Sequence, residues 1–190
     1  MDLLTETFDV VWGVLKKESV RGSVIVACAI LEDKLESVLK NRLTDCNEKS
    51  DYLFSGGNAP LGTMSAKIDL AYRTGCISEK VRSGLHIVRK LRNDFAHLSQ
   101  EIDFDTETVK SRTENLLELN RAFVELIWGG VRKEIFSIAG IKNPPEYTDL
   151  LKDMIKYAGY RHMFEIWASA LAGSLSELAT EVQKLPEKNA

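Results

Sequence analysis

The sequence is short of the residues that mark most site chemistries. Its three cysteines, Cys28, Cys46 and Cys76, are odd in number and lack metal-ligand or redox spacing. With no leader pattern in view, reduced thiols in a cytoplasm are expected. The three histidines are scattered and give no HExxH pair, and there is no P-loop, dinucleotide fingerprint or Gly-x-Ser-x-Gly elbow. No metal and no cofactor are therefore expected. No apolar run approaches membrane-spanning length, so no membrane contact is expected. An excess of basic charge is missing too: 25 Lys and Arg stand against 28 Asp and Glu, a net charge of −3. Non-specific DNA binding draws its affinity from phosphate neutralisation, so this balance argues against a simple duplex binder and leaves only a local patch for that purpose.

Strand alternation is absent as well. What is present is a repeat of apolar residues at three- and four-residue spacing in a chain that is 44% hydrophobic and 28% charged, which describes a globular all-α protein. Leu4, Phe8, Val11, Trp12 and Leu15 line a first helix. Val24, Cys28, Leu31, Leu35 and Val38 line a second, with Glu32, Asp33 and Glu36 mostly on its wet side. Residues 45–62 lack any period and read as a long loop, which Tyr52, Leu53 and Phe54 can pin to the core. A short helix with Met64, Ile68 and Tyr72 follows and stops at Gly75. Ser78 and Glu79 then open the next helix, so the pair forms an αα-hairpin. A helix over about 106–128 breaks at Gly129–Gly130, and Asn143–Pro144–Pro145 stops the chain again. Phe164, Trp167, Leu171, Leu175, Leu178, Val182 and Leu185 then make a heptad-like stripe, read as packing within the bundle ahead of a coiled-coil dimer. The expected architecture is a multi-helix bundle with a central αα-hairpin. Residues 1–143 form the main helical domain and 144–190 a C-terminal helical extension packed on it.

The helix over residues 78–97 carries the candidate site. On a wheel, Val81, Leu85, Val88, Leu91 and Phe95 share one face, and Arg92 falls among them. A buried guanidinium is costly unless paired. This motivates a structural lock of Asp69, Arg92 and Asp94, with Asp69 the first-choice partner of Arg92. Between Arg73 and Asn93 stand Arg73, Lys80, Arg82, Arg89, Lys90 and Arg92 against the single acid Glu79. This basic stretch, with Arg82, His86, Arg89, Lys90, Asn93 and His97 as binding candidates, suits phosphate, RNA, DNA or an acidic protein. Arg92 and His97 diverge on a straight helix, so converging them on one phosphate requires a bend or a second copy of the chain across a two-fold axis.

Pro60–Leu61–Gly62, the run Ser65–Ala66–Lys67–Ile68–Asp69–Leu70–Ala71–Tyr72, Gly75, Ile77–Ser78, and Leu85–His86 leading into Arg92–Asn93–Asp94–Phe95–Ala96–His97 resemble the signature region of the MltR (mannitol operon repressor-like) family. The resemblance covers about 45 residues strongly and leaves roughly the last forty unmatched. It implies a bacterial, cytoplasmic, all-helical transcriptional regulator of repressor type without a helix-turn-helix, acting through a protein partner. A homodimer is expected, through the motif face or the Phe164–Leu185 stripe. Arg92-x4-His97, with Asn93 after the arginine, is also similar to the motif of HEPN-type helical ribonucleases. That similarity implies metal-independent RNA cleavage, with Arg92, His97 and Asn93 as catalytic candidates.

Overall fold

The computed structural model describes residues 2–46, 51–96, 102–138, 140 and 149–187, with the backbone alone of 134, 135 and 138. Among these residues there are seven helices and no strand: α1 Leu3–Leu15, α2 Val20–Arg42, α3 Met64–Arg73, α4 Glu79–Ala96, α5 Glu107–Leu119, α6 Arg121–Ile138 and α7 Leu150–Glu181. The starts follow side-chain capping of free N–H groups. Asp2 accepts from Thr5 N at 2.8 Å, Ser19 from Gly22 N at 3.0 Å, and Ser78 from Val81 N at 3.3 Å. The turn between α3 and α4 depends on Gly75, whose φ of 73° lies in the left-handed region.

The core is organised around the second half of α7. Gly159 (φ 76°, ψ 162°) breaks α7 into two helical pieces. Beyond the break, residues 163–173 are buried on every face. A helix that is apolar all round has to be surrounded. Here Ala168, Ala170, Ala172 and Gly173 let neighbours approach between Phe164, Trp167, Leu171 and Leu175. At Gly173 the approach is closest: an added Cβ would lie 2.6 Å from the Leu4 carbonyl oxygen. α1, α2, α5 and α6 all pack on α7. The expected boundary at 143/144 lies outside the described residues; the described part of the C-terminal segment forms the axis of the bundle. The first four residues of the heptad-like stripe, Phe164, Trp167, Leu171 and Leu175, are buried inside the chain, while Leu178, Val182 and Leu185 are half-buried. After α7, Leu185 N donates to the Arg42 carbonyl at 2.7 Å and closes the bundle over the end of α2.

α4 is the helix the wheel anticipates, with Leu85, Val88, Leu91 and Phe95 fully buried. Phe95 passes contact to Phe104 (5.7 Å between ring centroids), and Phe104 to Phe164 (5.5 Å), so the end of α4 is tied to α7 through aromatic rings. Two expectations fail locally. The break in residues 106–138 falls at Asn120, whose amide donates to the Leu116 carbonyl at 2.8 Å and ends α5. α6 runs through Gly129–Gly130 because Val124, Trp128, Val131 and Phe136 are buried along it and outweigh the glycine penalty. In the described part of the 45–62 loop Phe54 and Leu61 are buried, while Tyr52 and Leu53 are exposed. The loop is therefore pinned at Phe54 and Leu61, with Leu61 N closing it onto the Leu53 carbonyl at 2.8 Å.

Candidate functional site: the α3–α4 face

Two charged clusters flank α3. The first is internal. Lys67 is 5% exposed, yet it carries an ammonium. It sits in the apolar stripe of α3 with Met64, Ile68 and Ala71 and reaches across to α2, where Glu32 and Glu36 each bind it at 2.8 Å. Burial disfavours the charged form, but the two carboxylates outweigh it and hold the lysine above its usual pKa. Glu36 also binds Lys40 at 2.7 Å, so two of the three acids expected on the wet side of α2, Glu32 and Glu36, are engaged. Beside this cluster the Cys28 thiol lies 3.3 Å from the Met64 sulfur. Burial pushes the thiol up to about 11, which leaves it inert at neutral pH.

The second cluster is outward-facing. Asp69 receives Arg82 Nε and Nη2, each at 2.9 Å, and faces His86 Nε2 at 3.3 Å. Arg82 also reaches Glu79 at 3.3 Å and lies 5.0 Å from the Tyr72 ring centroid. The Arg82 hydrogen bond, assisted by His86, holds the Asp69 carboxyl below the usual carboxylate range. Arg82 and His86, expected as binding residues, are thus already engaged within the chain.

The lock expected of Asp69, Arg92 and Asp94 does not form. Asp69 pairs with Arg82 and His86, Asp94 pairs with Arg112 of α5, and Arg92 is exposed. The reason lies in the wheel. Gly84 and Ile87 are also buried, and they turn the centre of the buried face away from Arg92. Gly84 belongs there because an added Cβ would sit 3.1 Å from both the Trp167 ring and the Asn120 amide. The residue that does lock α3 to the bundle is Lys67. Its signal was legible: a lysine at the i, i+3 spacing of the α3 stripe, with two glutamates at i, i+4 on α2.

What remains is a run of cations without acids. Among the described residues, the only side-chain hydrogen bond of Arg92 runs to Asn93 Oδ1 at 3.4 Å. Arg89 is half-buried and its Nε is buried with no hydrogen-bond partner among the described residues. Lys90 and Asn93 are exposed. No carboxylate among the described residues pairs with Arg89, Lys90 or Arg92. Arg89, Arg92 and Asn93 come from successive turns of α4 and form a donor-rich surface suited to an oxyanion. His97 lies outside the described residues. Among the described residues no group of His, Cys, Asp and Glu side chains could hold a metal ion, and no helix is long and apolar enough to cross a membrane.

No family model matches the chain, and no curated protein matches it. Among solved structures, a chain in the X-ray structure of the MtlR–HPr complex from Escherichia coli matches with a TM-score of 0.57 and 17% identity, over 90% of this chain and 99% of that one. The likeness runs through almost the whole of both chains and shows that they share a helical fold.

Proposed function

We propose that the chain is an MltR-type regulator of transcription, repressor-like, that works in the bacterial cytoplasm by contact with a protein partner. Three observations support the reading. The fold is that of a chain from the MtlR–HPr complex over nearly its full length. The resemblance over residues 53–97 points the same way. Among the described residues no helix pair offers an exposed basic recognition helix, because α4, the nearest candidate, spends one face on the core.

The carrying observation for the contact surface is the trio Arg89, Lys90 and Arg92, left without carboxylates in a chain of net charge −3. An acidic protein surface or a phosphate satisfies those donors. A homodimer, through the motif face or through the end of the Phe164–Leu185 stripe, where Leu178, Val182 and Leu185 are only half-buried, is part of the proposal. Calorimetry with purified HPr tests the class of partner. Saturable binding supports it, and no heat at tens of micromolar, a usual range for weak contacts, removes HPr-type proteins from the reading. The double variant Arg89→Glu/Arg92→Glu tests the face. Binding that survives both reversals places the contact elsewhere. Sequence-specific binding of promoter DNA by the chain alone contradicts protein-mediated action.

A second reading has one observation in its favour. Arg92 and Asn93 are exposed side by side, as a HEPN-type ribonuclease requires of its arginine and polar neighbour. Metal-free cleavage of single-stranded RNA, lost in Arg92→Ala and His97→Ala, supports that reading. An absence of cleavage dismisses it.

A further inference from the structure

Among the described elements α6 packs on α7 and meets α5, while α1, its neighbour across α7, does not reach it. The outer side of α6 faces solvent and carries no charge for about two and a half turns. Ala122, Leu126, Gly129 and Gly130 are exposed there, with Phe123 and Ile127 half-buried. Leu126 is 78% exposed, ahead of Tyr52 and Val10. The one charged residue between Arg121 and Arg132 is Glu125, which lies about 100° round the helix from Leu126 and faces Arg121 at 3.5 Å. A solvent-facing helix surface is ordinarily polar. The glycines point the same way, since a glycine inside a helix weakens it relative to alanine. At Gly84 and Gly173 the chain's own packing needs the bare backbone, because an added Cβ would press on Trp167 or on the Leu4 carbonyl. At Gly129 and Gly130 an added Cβ would meet nothing within 4 Å. Their bare backbone serves no contact among the described residues and suits a close approach from outside. Gly130 also borders a groove of about 410 Å³ between α1 and α6, floored by Ala170 and Ser174 and walled by Phe8, Trp12, Phe123 and Val131.

These features fit one another. Leu126 projects, and one turn on, Gly130 leaves a hollow beside the groove. A face that carries both a knob and a hollow is complementary to itself across a two-fold axis, where residue i of one copy meets residue j of the other and j meets i. The charges at its border agree. Asp9 in the groove wall and Lys133, one turn beyond Gly130, are both exposed and have no oppositely charged partner among the described residues. A second copy offers each of them the opposite charge. We infer that the outer face of α6 is an interface with a second copy of this chain, in which Leu126 of each copy enters the α1–α6 groove of the other beside Gly130. The contact goes beyond the regulator reading and involves neither the α4 run nor the end of the α7 stripe.

Sedimentation velocity of the full chain at tens of micromolar, a usual range for weak contacts, reads the assembly. The parent should run at twice the mass of one chain or more. Leu126→Glu carries a charge into an apolar contact and should weaken the association about tenfold or more. Gly130→Gln fills the hollow and should weaken it comparably. Its melting temperature should stay level with the parent's or rise, because glutamine is the better helix residue and its Cβ meets nothing in the chain. That readout separates a lost contact from a lost fold. Arg89→Glu/Arg92→Glu, on α4, should leave the α6 contact in place, so that adding Leu126→Glu to it still halves the mass. The inference is overturned by a parent that stays at the mass of one chain, or by either single variant associating as the parent does. Complete loss of association in Arg89→Glu/Arg92→Glu alone overturns it as well, and leaves a homodimer through the α4 face as the reading that stands.

Discussion

Lys67 and Arg92 both stand in line with the apolar residues of their helices, yet the fold treats them in opposite ways. Lys67 is buried and clamped by Glu32 and Glu36, whereas Arg92 is exposed with a single weak bond to its neighbour. Position along a helix does not decide this. α2 covers the Lys67 side of α3 and brings two glutamates with it, while the buried face of α4 is turned toward Gly84 and Ile87, which leaves Arg92 at its edge. A charge buried with partners holds structure, and a charge left bare at the edge of the same bundle is available for a ligand or partner.

The comparison sharpens most where a buried charge loses its partner. Glu165 is fully buried in α7 and bound by Arg161 Nε at 2.7 Å, and Arg161 also donates to the Glu18 carbonyl at 2.6 Å. Arg161→Ala strands the carboxylate and should cost about 3–5 kcal/mol in urea unfolding. A loss under about 1 kcal/mol would show that water or a proton replaces the arginine easily. Lys67→Ala comes next. Its two glutamates keep some solvent contact, so the expected loss is roughly 2–3 kcal/mol. Lys67→Met, which keeps the volume without the charge, separates packing from pairing.

The smallest of these effects lies at Asp69, whose carboxyl is half-exposed and whose partners are solvated. Its pKa is lowered in the folded state, first by Arg82 and then by His86. The stabilisation is therefore present above the ordinary carboxylate range and is lost as pH falls through the folded value. Asp69→Asn should melt slightly below the parent at neutral pH and converge with it in acid. A gap that persists in acid points to lost packing instead of lost charge.

The helical period carried the fold class, the αα-hairpin at Gly75 and the buried face of α4. It did not place the axis. The stripe on α7 was visible, but the small residues Ala168, Ala170, Ala172 and Gly173 carry little weight in a wheel, although they are what allows α1 and α2 to close on both sides. Asn120 was missed as a helix end because its amide competes for a backbone carbonyl, an effect with no hydrophobic signature. In the candidate site, the basic composition of α4 was legible, but the pairing was not. Which arginine meets Asp69 depends on how α3 is rotated against α4, and that is set by contacts distant in sequence.

The central claim is that Lys67 locks the α3 region while Arg92 is held free. Thermal unfolding of Lys67→Ala and Arg92→Ala beside the parent tests it directly. Lys67→Ala should melt roughly 5–10 °C lower, given about 2–4 °C per kcal/mol for a chain of this size. Arg92→Ala should stay within about 0.5 kcal/mol of the parent, as surface substitutions do. An Arg92→Ala variant that falls as far as Lys67→Ala, or a Lys67→Ala variant as stable as the parent, would contradict the account.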